Sequence, residues 1–187
     1  MTGQRSDARR NYARILEVAA EEVAEQGAEA SLERIARVAG VGSATVRRHF
    51  PTRQALLGAV FAQRVEALCR RAGELAGRTD AFAALVDWLR EVLEYSVAAR
   101  GLADALTYTP LEDLPAEDSC GSALETASAS LLRGARREGT VGDGVTAHDL
   151  LVLVVGIALA TEHHADPAEQ AARSFRLAVE GLRTASR

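Results

Sequence analysis

The chain has 187 residues, enough for one domain or two small ones, with ordinary proportions of apolar residues (48%) and charged residues (26%). All 22 basic side chains are arginine, and the net charge of -4 hides an asymmetry: residues 1–65 carry 10 arginines against 7 acids, residues 66–187 carry 12 against 19. A basic front on an acidic body excludes a protein that coats nucleic acid over its whole surface and suits one that presents one end to a polyanion. Two cysteines, Cys69 and Cys120, make no disulfide framework and are expected as reduced thiols in a cytoplasm. The N-terminus lacks the apolar core of a signal peptide, and the longest apolar run, Leu150 to Ala160, is too short to span a bilayer.

Few prolines and abundant alanine and leucine favour an all-helical fold. From Asp7 to Gln26, Tyr12, Ile15, Leu16, Ala19, Ala20 and Val23 recur at helical spacing, and Gly27 stands where a terminating glycine belongs. Ser31 then caps a short helix with Leu32, Ile35, Ala36 and Ala39 on one side, ended by Gly40. Val41-Gly42 makes a turn, Ser43 caps a second short helix, and Pro51 ends it. From Leu32 to Arg53 there are five arginines (34, 37, 47, 48 and 53) and a single acid, Glu33. Two short helices joined by a glycine-containing turn form the helix-turn-helix unit, whose second helix can enter a DNA major groove. Val46 and Phe50 belong to the small core of this head.

Thr52 is placed to cap a long connecting helix, 52–76, with Leu56, Leu57, Val60, Phe61, Val65 and Leu68 inward. Thr79 or Asp80 starts the next helix, which turns Phe82, Leu85, Val86, Leu89 and Leu93 inward. Gly101 interrupts a shorter amphipathic piece at 102–108, and 109–118 reads as a proline-containing acidic loop. A helix over about Ser122 to Glu138 precedes the loop Gly139 to Gly144. Thr146 and Asp149 form a box-like start for the apolar helix, and Asp166-Pro167-Ala168-Glu169 starts the last one.

The frame Leu32-Ile35-Ala36-Ala39-Gly40-Val41, the run Thr45-Val46-Arg47-Arg48-His49-Phe50, Arg53 and Ala55-Leu56-Leu57 together resemble the DNA-binding domain of the TetR family of bacterial transcriptional regulators, over about Asp7 to Val60. The tail from Val145 to Phe175 also resembles C-terminal helices of some members, more loosely. The resemblance implies an all-α fold of about nine helices. A three-helix head (7–53, with the start of the connecting helix) would bind DNA, and a helical-bundle body (54–187) would bind a ligand and dimerise through the last two helices. It implies a cytoplasmic homodimer on a palindromic double-stranded operator, most simply a repressor released by a small hydrophobic effector.

By the same resemblance Thr45 and His49 match phosphate-contacting positions, and Ser43 and Ala44 match positions that face base edges. Arg53 stands where the family usually has a lysine that clamps the backbone. Arg47 replaces a favoured tyrosine and adds forked reading of guanine; Arg34 and Arg48 complete the DNA-facing set. In the body, Trp88, Val92 and Tyr95 share a helix face that Phe82 and Tyr108 could join, either as an aromatic-lined ligand cavity or as ordinary core. Leu151, Val155, Ala158, Phe175, Val179 and Leu182 either form a four-helix dimer interface or pack within the monomer. Glu162-His163-His164 with Asp166 lacks the spacing of a zinc helix. No nucleophile–base arrangement or phosphate loop marks an enzyme, and no cofactor or metal is expected.

Overall fold

A computed structural model describes residues 2–26, 30–98 and 120–182. They form eight α-helices: α1 Thr2–Gln26, α2 Leu32–Ala39, α3 Ser43–His49, α4 Arg53–Leu75, α5 Ala81–Ala98, α6 Cys120–Arg137, α7 Ala147–Ala160 and α8 Pro167–Leu182. There is no β-strand among the described residues. Gly27, Gly101, the expected pieces 102–108 and 109–118, and the candidate Tyr108 lie outside them. The first helix begins at Thr2 instead of Asp7, because the segment Thr2 to Ser6 contains no large apolar residue and so carries no periodic signal.

Local chemistry explains most helix ends. Ser31 Oγ accepts from the Arg34 amide at the start of α2. At its end Gly40 adopts φ 69°, with Gly40 N–H bonded to the Arg37 carbonyl and Val41 N–H to that of Ala36, a Schellman motif that a side chain at this φ would strain. The next start differs from expectation. Gly42, extended at φ -68° and ψ 146°, occupies the cap, and Ser43 is already helical, so no side chain caps α3. Thr52, Asp80 and Asp166 each accept an amide three residues on, at 3.0, 2.8 and 3.0 Å, and so start α4, α5 and α8. A reciprocal box opens α7: Thr146 Oγ1 accepts from Asp149 N–H at 3.1 Å while Asp149 Oδ2 accepts from Thr146 N–H at 2.9 Å.

The chain divides into two units within α4, between Gln63 and Arg64. In the first, Ile15, Leu16 and Ala19 of α1 pack with Ile35 and Ala36 of α2, Val46 of α3, Phe50, and Leu56, Leu57 and Val60 of α4. In the second, Trp88 is fully buried at the centre of α5, among Leu68 and Leu75 of α4, Leu131 and Leu132 of α6, and Leu150 and Val154 of α7. Each such side chain contributes roughly 1.5–3 kcal/mol when buried. Polar ties fix the register of α4 and the turn after it on α5: Trp88 Nε1 donates to the Leu68 carbonyl at 2.8 Å, Arg71 pairs with Glu91 at 3.0 Å, and Arg78, just beyond α4, pairs with Asp87 at 2.7 Å. Burial pushes the Asp87 carboxyl up, but hydrogen bonds and charge from Arg78 and Arg90 outweigh it and hold the group below its ordinary value.

Two residues expected at a dimer interface require correction. Ala158 and Phe175 face inward and are buried in the core of the body. Val155 of the expected set is exposed, and the outward sides of α7 and α8 also carry Val152, Leu159 and Leu177, which the sequence reading did not single out. An almost wholly apolar helix gives no sequence signal for which of its faces is inward.

Candidate nucleic-acid interface

Helix α3 is held by two side chains one turn apart, Val46 (1% exposed) and Phe50 just beyond its end (2%). Residues at spacings of three and four share a helix face, so anchoring these two turns Ser43, Ala44, Arg47 and Arg48 to solvent together. Thr45 and His49 flank that face, half-buried. Six sequence-predicted residues are thereby gathered on one short helix.

Tyr12 of α1 steadies the C-terminal end of α3. Its ring stacks on Phe50 (centroids 5.1 Å apart) and meets His49 edge-on at 5.7 Å. The sequence places Tyr12 simply on the inner face of α1, yet it sits at the rim, beside the proposed reading surface.

The arginines divide into two groups. Among the described residues Arg47 reaches only Glu33, at 3.4 Å, and both side chains remain largely exposed, so a phosphate or a base can compete for the guanidinium at little cost. Arg48 makes no ion pair among the described residues. Arg34 and Arg53, expected on the DNA-facing set, are engaged inside the head. Arg34 Nε lies 2.7 Å from Glu22, a buried carboxylate that also accepts the Ser31 amide at 3.4 Å. Arg53 Nη2 donates to the Ala30 carbonyl at 3.0 Å, tying the start of α4 to the segment before α2. Arg14 of α1, which the sequence does not single out, donates from Nε to the Ala39 carbonyl at 2.9 Å and satisfies the end of α2. Glu22 and Arg14 carry no local signal, since their partners are 9 to 25 residues away along the chain.

In the body, Phe82, Trp88 and Val92 are buried core residues and Tyr95 is half-buried, with the Arg64 guanidinium 5.9 Å from its ring centroid. Leu151, Val179 and Leu182 are partly buried against the same core. His163 and His164 are exposed, and no three metal-ligating side chains converge among the described residues. No described helix is long and apolar enough to cross a membrane.

Comparison with known proteins matches this architecture at both ends. Residues 15–60 match the family described as bacterial regulatory proteins, tetR family, and residues 80–184 match the SbtR-like transcriptional regulator C-terminal domain. Among solved structures, the TetR transcriptional regulator SCO0520 from Streptomyces coelicolor is 33% identical, with 94% of this chain and 99% of that one aligned and a TM-score of 0.77. A TetR regulatory protein from Mycobacterium vanbaalenii is 34% identical over 97% and 99% of the two chains, with a TM-score of 0.71. FadR from Bacillus subtilis, solved with stearoyl-CoA, shares the fold at 18% identity over 91% and 98%, with a TM-score of 0.58. No curated protein matches this chain. The chain belongs to the TetR family of transcriptional regulators, and its helix-turn-helix head is the DNA-binding part of such a protein.

Proposed function

We propose that the chain is a homodimeric repressor that reads a palindromic operator through two copies of α3 and is released by a small hydrophobic effector. The observation that carries the reading is the solvent-facing set Ser43, Ala44, Arg47 and Arg48 on a helix locked from behind by Val46 and Phe50. Ser43, Ala44 and Arg47 would meet base edges, and Thr45, Arg48 and His49 would meet phosphates. Arg34 and Arg53 would act by holding the head together, consistent with their contacts to Glu22 and Ala30. Residues 7–53 would thus form the DNA-binding domain.

The remainder, 54–187, would bind effector and partner. The exposed row Val152, Val155 and Leu159 with Leu177 supports a two-fold contact through α7 and α8, flanked by Leu151, Val179 and Leu182. The aliphatic surroundings of Phe82, Trp88, Val92 and Tyr95 suit an apolar effector. An effector that binds better to one position of α4 than to another would shift the population and weaken operator binding by that difference in affinity. Such a regulator works in the cytoplasm, where the operator is.

Footprinting of the purified protein on an operator fragment tests the reading. Two protected half-sites with centres about 34–36 Å apart on one face of the duplex are expected. Protection of a single half-site, or none above competitor DNA, would contradict it.

A further inference from the structure

A carboxylate stands where a surface for a polyanion should have none. Glu33 is the single acid between Leu32 and Arg53, a stretch that holds five arginines. It lies in the first turn of α2, yet its side chain reaches across to α3. Glu33 Oε1 accepts from Arg47 Nη2 at 3.4 Å, 14 residues away along the chain. The Glu33 and Arg47 side chains are 70% and 65% exposed, so the pair sits on the outer face of the head and adds little to its stability.

The cost of that negative charge depends on what Arg47 meets. Over a phosphate, the guanidinium brings Glu33 up to the DNA backbone, and like-charge repulsion adds to the loss of the pair. Against a guanine edge the outcome differs. A forked contact to O6 and N7 uses two N–H groups, and a guanidinium carries enough of them to keep its bond to Glu33 as well. The carboxylate then steadies the plane of the fork and reduces the side-chain freedom lost on binding. Adenine, with an amino group in place of O6, cannot accept that fork.

We propose that Glu33 is a specificity-determining residue of the head, a carboxylate that holds Arg47 in position for guanine and penalises its contacts with phosphate. Glu33 acts through Arg47, as a positioning residue, and need touch no base itself. The proposal rests on the reading of α3 as the helix that meets base edges. A purely structural role has a different signature: an anion in the first turn of α2 favours that helix through its dipole, which alters stability and leaves base preference alone.

Selection of duplexes from a random-sequence pool by the full chain separates the two. Arg47→Ala identifies the base pair that Arg47 reads, as the position of the half-site whose preference is lost. Glu33→Gln keeps the shape of the side chain and removes its charge. It should narrow the guanine preference at that same base pair by about two- to fivefold and leave the other positions unchanged. By anisotropy it should also bind scrambled duplex about two- to fivefold more tightly than the parent does, with no such gain on the selected sequence. Three results would each overturn the proposal: an unchanged preference at that base pair, a change spread evenly over the half-site, or an equal gain on selected and scrambled duplexes, the mark of a general charge effect. If Arg47→Ala altered no position, the base-reading role of Arg47 would fall and this one with it. If only Glu33→Gln were without effect, the reading of α3 would stand.

Discussion

Arginine serves two ends in the head, and burial and partners separate them. Arg14, Arg34 and Arg53 reach a carbonyl or a buried carboxylate of their own unit, while Arg47 and Arg48 stay outward on α3. Arg47→Ala should therefore leave the melting temperature unchanged and weaken specific DNA binding by about 1–3 kcal/mol, read by fluorescence anisotropy against operator and scrambled duplexes. Arg34→Ala should do the reverse first. It strands the buried Glu22 carboxylate and should cost about 1–2 kcal/mol in urea unfolding, toward the low end because the Arg34 side chain is 48% exposed. Equal melting of Arg34→Ala and the parent would remove its bracing role. The outward face of α3 was legible in the sequence, because a turn, a short helix and a following helix specify it locally. The inward turn of Arg34 was not, since Glu22 meets it only when α1 and α2 pack.

Helix ends show the same division between local and tertiary information. Gly40 and the Thr146–Asp149 box could be read from sequence because their hydrogen bonds close within a few residues. Gly40→Ala should destabilise the head by about 1–2 kcal/mol, the cost of a Cβ in the left-handed region, measurable by thermal unfolding. Thr146→Ala should cost about 1 kcal/mol through the lost cap of α7. Hydrogen bonds from the Thr146 hydroxyl and amide hold the Asp149 carboxyl below its ordinary value. A carboxyl lowered in the folded state stabilises fully above its unfolded value and loses that contribution as pH falls through the folded one. The stability gap between the parent and Asp149→Asn should thus be constant near neutrality and close below about pH 4. A gap that widened on acidification would contradict the box. The start of α3 was misread because Ser43 looks like a cap, whereas the extended backbone of Gly42 takes that place.

At the scale of the molecule, the all-helical fold followed from helical periodicity and an alanine- and leucine-rich composition. Which side of α7 faces outward did not. Ala158 and Phe175 are core, and Val152, Val155, Leu159 and Leu177 are left on the surface. Leu159→Arg, at a position 62% exposed, should keep the monomer folded, shift sedimentation from dimer to monomer and weaken operator binding with it. A dimer that survived the change would place the two-fold contact elsewhere. The central claim is that α3 reads sequence, and selection of genomic fragments by the purified protein tests it most directly, at near-physiological salt with excess competitor DNA. The account predicts one recurring palindrome, which a chain carrying Arg47→Ala and Arg48→Ala no longer recovers. Recovery of no preferred sequence, or of the same palindrome by that variant, would contradict it.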